Sequence, residues 1–247
     1  MLRVVAESAC NDKTCPQILE DPDMPDDAYV QGWDDVPTHI MAEAAPPAGE
    51  RIVRVPRGHI IKAGQRFAED HLFATARTLF RLETLPQYLA PAEDERFRAF
   101  LEGQPLPERT PATSPWLKQI SEGTAAGQQW QRVHIVQEPL SDYLRFELTT
   151  AVENVAAGER VYVADRALHP WMKGLTQDFW GFDLDDAEHA TAMLMRYDRQ
   201  GRFEDSEIST DPDIIRRCRR RRDMVLTRAI PVADYLDQIG LQPAKVG

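Results

Sequence analysis

The chain has 247 residues, enough for one large or two unequal domains with a substantial core. Its 29 lysines and arginines against 40 acidic residues give a formal charge of -11, which argues against general affinity for nucleic acid or anionic membranes. No apolar run approaches the roughly 20 residues that cross a bilayer, the opening residues lack a secretory apolar stretch, and three cysteines make no disulfide framework. A reduced, cytoplasmic protein is the expectation.

Residues 1–60 read as a small β-rich acidic module, with strands at 2–6, 29–33 and 51–55 joined by proline- and acid-rich segments. Eleven acidic and five basic residues fall here, a charge of -6 and more than half of the total. After a polar join at 61–70, a second domain is expected over 70–238. Leu72, Phe73, Ala76, Leu79, Phe80 and Leu82 lie near helical spacing and predict a helix over 70–85, stopped by Pro86. Another helix is predicted at 93–101, with Gly103 just past its end. A proline-rich loop at 104–111 leads to Ser114 as an N-cap and Pro115 in the first turn of a third helix.

The stretch WQRVHIVQEPLSDYLRFEL at 130–148 organises the remainder. It predicts a strand at 132–136, a turn at Glu138-Pro139, and a helix from Ser141 to Ala157. Gly158 turns the chain into a strand at 160–164. Further strands are expected at 179–182, 193–197 and 202–208, the last two joined by a hairpin at Asp198-Arg-Gln-Gly. Asp211 and Pro212 start a long helix expected to reach Ile230, and the tail from Gly240 reads as frayed. The fold class is therefore α/β (α+β): a mixed sheet flanked by helices, with a small β-rich N-terminal module.

The polar residues of the central stretch, Arg132, Glu138, Tyr143, Arg145 and Glu147, are dense for its length. Two readings fit them: a pocket in which Arg132, Tyr143, Arg145 and Glu147 meet a ligand, or a structural network with Asp178 and Asp183. Arg222 falls within the apolar face of the last long helix. An unpaired charge there is costly, so pairing with Glu147, Asp178 or Asp183 is expected. These eight residues are the candidate ligand or partner contacts.

Other motifs point to little chemistry. Cys10-x4-Cys15 lacks the second ligand pair of a zinc site. The acidic run Asp21, Asp23, Asp26 and Asp27 has Pro25 where a calcium ligand belongs. Asp183, Asp185, Asp186, Glu188 and His189 form a second acidic cluster. Residues 211–228 carry seven arginines and three aspartates but no interleaved aromatic residues, so a solvated helix face is favoured over phosphate contact. No nucleophile elbow, P-loop or dinucleotide fingerprint is present. No catalytic residue, metal or cofactor is assigned.

The phrases LFRLETLPQY at 79–88, AFLEG at 99–103, RVHIVQEPLSDYLRFEL at 132–148, DFWGFD at 178–183 and MRYDRQGRF at 195–203 follow one another over some two-thirds of the chain. In these the region 72–235 resembles an actinobacterial family, domain of unknown function 6879. CP at 15–16, YVQGW at 29–33 and VRVPRG at 53–58 resemble a small module often joined to it. The resemblance implies a non-enzymatic regulatory role, binding a protein partner such as a helix-turn-helix regulator, or a small ligand. A more distant likeness to degenerate phospholipase-D-like domains implies the alternative, action on a phosphorylated compound. Active members of that group use H-x-K-x4-D, whereas His169-x3-Lys173-x4-Asp178 has the wrong first spacing.

Overall fold

The computed structural model describes residues 3–7, 16–21, 24–44, 51–90 and 93–244. Cys10, Cys15 and Asp23 lie outside the described residues. The chain forms two compact units, Met1–Leu72 and Phe73–Gly247. Among the described residues no helix is long and apolar enough to cross a membrane.

The first unit holds an antiparallel sheet of β1 (Arg3–Glu7), β2 (Gln17–Asp21) and β3 (Met24–Gln31), in that order. Helix α1 (Thr38–Ala44) follows. The strand expected at 51–55 does not form: only Arg54 makes a backbone bridge, to Trp33. Pro56 lacks a donor and ends the extended stretch before a ladder can propagate. The Arg54 guanidinium instead lies 4.4 Å from the Trp33 ring centroid and 2.6 Å from Asp35.

Helix α2 (Arg57–Thr75) replaces both the expected join at 61–70 and the first half of the expected helix at 70–85. The second half is strand β4 (Thr78–Glu83). Five of its six residues are buried. A central strand covered on both faces reads as a near-continuous apolar run, which spacing alone does not separate from a helix.

The second unit is built on a seven-stranded sheet. Besides β4 it contains β5 (Gln129–Val136), β6 (Arg160–Asp165), β7 (Phe179–Phe182), β8 (Thr191–Tyr197), β9 (Phe203–Ser209) and β10 (Ile230–Pro231). The order is β10-β6-β5-β4-β7-β8-β9. Strands β6, β5 and β4 run parallel, and the other pairings are antiparallel.

Helices cover both faces. Alternate residues Phe80, Leu82, Val133, Ile135, Ala164 and Phe179 point to one side, where α6 (Pro212–Leu226) supplies Ile215, Cys218 and Val225. On the other side α5 (Asp142–Ala157) and α7 (Val232–Ile239) pack Leu144, Leu148, Val232 and Leu236 against Val136, Val161 and Val163. Two further helices, α3 (Asp94–Leu101) and α4 (Pro115–Ala125), contact α5.

The starts of α3, α4, α5 and α6 are those that the sequence predicts. The side chains of Ser114, Ser141 and Asp211 accept hydrogen bonds from the first free backbone N–H groups of α4, α5 and α6. Two ends differ. Helix α6 stops at Leu226 rather than Ile230, because Ile230 and Pro231 pair with β6. Residues 241–244 are held rather than frayed: Ala244 N–H donates to Thr149 O at 3.0 Å.

Gly201 closes the β8–β9 hairpin with φ +83, and its carbonyl accepts from Leu89 N–H at 2.9 Å. A Cβ there would lie 2.2 Å from Gln87 O, a backbone atom with little room to retreat. Gly201→Ala therefore combines a left-handed backbone with a clash, and is expected to lower stability by about 2 kcal/mol or more in a urea titration.

Candidate functional site

The site begins as a problem of register. In β4, residues 79, 81 and 83 share the face beneath α5. In β5, residues 130, 132 and 134 do the same. Parallel pairing sets Arg81 beside Arg132 and Glu83 beside His134, and antiparallel pairing sets Trp180 on the other side of Arg81. Two arginines thus lie side by side in the middle of the sheet, both buried.

Carboxylates hold them. Glu83 Oε1 accepts from Arg81 Nε at 3.2 Å and from Arg132 Nη1 at 3.0 Å. Arg132 Nε donates to the buried Glu159 at 2.9 Å, and Asn154 donates to the same carboxylate. Arg81 Nη2 donates to Tyr197 Oη at 2.9 Å and to Asp178 at 3.3 Å. Asp178 also accepts from Thr84 N–H, the Thr84 hydroxyl and the Tyr88 hydroxyl. Burial alone would raise the Glu83 carboxyl, but Arg132, His134 and Arg81 outweigh it and hold it far below the usual carboxylate range. Burial keeps His134 below its ordinary value despite Glu83.

Over these charges lies a cavity of about 760 Å³. Arg81, Arg132, His134 and Trp180 form its floor, and Trp116, Phe146 and Glu147 line its sides. Exposed Glu95, Pro107 and Glu108 lie at its mouth. The Trp180 ring lies 5.7 Å from each guanidinium, and Arg132 is 6.0 Å from Trp116. The indoles belong to an aromatic cluster in which Phe73, Trp116, Trp130 and Trp180 meet edge to face or stacked. Burial, Glu93 and Glu83 push the Glu147 carboxyl up to about 8.

Three buried atoms of this group have no hydrogen-bond partner: Arg81 Nη1, Glu83 Oε2 and His134 Nδ1. His134 Nδ1 lies 3.0 Å from Glu83 Oε2, but the pair is not aligned as a hydrogen bond. Ligand atoms of Glu83, His134 and Glu147 all fall within 4.8 Å of one another, a donor set able to take a metal ion.

The candidates from the sequence divide. Arg132 and Glu147 line the cavity. The Tyr143 hydroxyl joins Glu93 at 3.0 Å and Glu147 at 3.3 Å, and Asp178 anchors Arg81 from behind. Arg145 and Glu138 are exposed and do not line it. Asp183 sits at the other end of β4, where its carboxylate accepts from Arg77 and Thr78 N–H. Arg222 does not meet Glu147, Asp178 or Asp183. It pairs with Asp185 through two 2.8 Å hydrogen bonds and with Asp223, because α6 lies across the sheet from α5.

Other sequence features are spoken for. Asp183, Asp185 and Asp186 bond respectively to β4, to Arg222 and to the backbone of Glu188 and His189, so they do not converge on a cation. In the arginine run, Arg216 pairs with Asp213, and Arg219 donates to Leu184 O at 2.6 Å. Lys173 is exposed on a 3-10 helix at Pro170–Gly174, while Asp178 is 2% exposed and bonded to Thr84 and Tyr88.

Sequence reasoning missed Arg81, Glu83, Glu159, Trp116 and Trp180. One signal was present: Arg81 and Glu83 interrupt an apolar run two residues apart, which places both on one face if 78–83 is a strand.

The family described as Domain of unknown function (DUF6879) matches residues 67–237. No curated protein and no solved structure matches.

Removing one partner from a buried ion pair leaves an uncompensated charge and costs about 3–5 kcal/mol. Arg81→Met, which strips Asp178 and Glu83 of a partner, is expected to destabilise by that amount in urea unfolding. Exposed Arg145→Ala is expected to change stability by less than about 0.5 kcal/mol in the same assay.

Proposed function

The chain belongs to the DUF6879 family, and we propose that its second unit is a ligand-binding module for a small organic anion carrying a flat ring. One observation supports this most directly: two buried guanidiniums and two indoles line a single cavity that opens to solvent between exposed residues. A carboxylate or phosphate would lie against Arg81 and Arg132, where Arg81 Nη1 has a donor to spare. A ring would lie against Trp116 and Trp180, and the volume is in the range of small-molecule sites. The cavity, rather than His169, Lys173 and Asp178, supports the phosphate-binding part of the reading, since Asp178 is already committed to Thr84, Tyr88 and Arg81. The regulatory role suggested by the sequence then becomes that of a ligand sensor whose bound state a protein partner reads.

Phenyl phosphate and benzoate are suitable probes, because Trp116 and Trp180 report on the cavity by their own fluorescence. A saturable fluorescence change with a raised melting temperature is expected for at least one of them. Trp116→Ala should weaken that binding about tenfold, equivalent to about 1.4 kcal/mol. No saturable change and no thermal shift with either probe would overturn the proposal.

A further inference from the structure

We infer that Glu83, His134 and Glu147 hold a divalent transition-metal ion of the zinc type at the cavity floor. The inference does not depend on the organic anion, and it rests on three separate features.

The first is donor geometry. Four-coordinate zinc with bonds of about 2.0–2.2 Å places neighbouring ligand atoms roughly 3.3 Å apart. His134 Nδ1 and Glu83 Oε2 are 3.0 Å apart, and the ligand atoms of all three residues lie within 4.8 Å. Glu147 lines the cavity and is only partly buried, so a side-chain rotation on metal binding would close the remaining distance. Three protein ligands leave a fourth position for water or an incoming ligand, the pattern of an open zinc site.

The second is the pair of orphaned atoms. Glu83 divides its oxygens: Oε1 accepts from both arginines, while Oε2 faces His134 and accepts nothing. His134, with a side chain 2% exposed, leaves Nδ1 without a partner although Oε2 is near. A buried donor or acceptor left unsatisfied is costly, so the gap calls for an occupant. When a metal joins two ligands, each lone pair points at the metal and not at the other ligand. Close approach without hydrogen-bond alignment is therefore the arrangement such an ion produces.

The third is charge. Around the floor, Arg81 and Arg132 face at least four carboxylates: Glu83, Glu147, Glu159 and Asp178. With Glu147 ionised, as a metal-bound carboxylate is, these six groups carry a formal balance of -2, which one divalent cation cancels. Arg132 is engaged by Glu83 Oε1 and Glu159, and Arg81 by Glu83 Oε1, Asp178 and Tyr197, so neither guanidinium bonds to the orphaned oxygen. One imidazole nitrogen with two carboxylates suits zinc, cobalt or manganese better than calcium or magnesium, which favour oxygen donors throughout.

The test uses the full chain with Cys10→Ser and Cys15→Ser, which removes competing thiols. Chelator-stripped protein is loaded with Zn2+, dialysed against metal-free buffer and analysed by plasma emission; Co2+ loading is followed by visible spectroscopy. About one ion per chain and low-symmetry cobalt bands with nitrogen ligation are expected. Glu147→Gln keeps the shape of the side chain, and should bind at least about tenfold more weakly while melting like its parent without metal. Metal content well below one ion per chain, or equal affinity in parent and Glu147→Gln, would overturn the site and leave ordered water as the occupant of the gap. Because only metals are added, failure of phenyl phosphate or benzoate to bind has no bearing on the result.

Discussion

The second unit depends on placing two guanidiniums next to each other inside a sheet. Neighbouring strands are about 4.8 Å apart, so Arg81 and Arg132, paired in register, repel by about 3 kcal/mol at an effective dielectric constant of about 20. The conflict is resolved by sharing. One oxygen of Glu83 accepts from both arginines, Glu159 holds the far side of Arg132, and Asp178 holds the far side of Arg81. Each partner comes from a different element: β4 itself, the turn before β6, and the residue before β7. The ion pairs thus couple the pairing of β4 to that of β5, β6 and β7, and a shifted register would leave several buried charges unpaired.

The same arrangement explains why the cavity of about 760 Å³ lies on this face, while the α6 face carries a smaller one of about 290 Å³. Beneath α6 the sheet presents Phe80, Leu82, Val133 and Ile135, which close against Ile215 and Val225. Beneath α3, α4 and α5 it presents long charged side chains, and the helices rest on an aromatic cluster and on the aliphatic cluster at Leu144 and Leu148. Charged groups need partners and cannot interdigitate as densely as apolar ones. The space above them becomes a lined chamber with guanidiniums and indoles at its base. Fold and site are one construction, since the residues that define the register also furnish the chamber.

Legibility followed how local each signal was. The caps at Ser114, Ser141 and Asp211 and the turn glycines at Gly158 and Gly201 act within a few residues, and the elements they bound were readable. Strand β4 was not, because Leu79, Phe80 and Leu82 satisfy helical spacing as well as burial on both sheet faces. Read as helix, the segment does not place Arg81 and Glu83 on one sheet face; of the charged residues that local pattern singles out, Arg145 faces solvent and Arg222 lies across the sheet. Arg132 and Glu147 were found because they belong to one contiguous strand-turn-helix.

Composition and pattern by themselves determined the α/β class, the starts of α3 to α6 and the strand-turn-helix that contains residues 132–148, since each is encoded in periodicity or capping. Tertiary structure alone decided which charges meet. Arg81 and Arg132 are 51 positions apart, and Asp178 is 97 from Arg81; only the strand order β6-β5-β4-β7 makes them neighbours. Strand order is set by burying both faces of the sheet at once, a global condition that no short stretch of sequence contains.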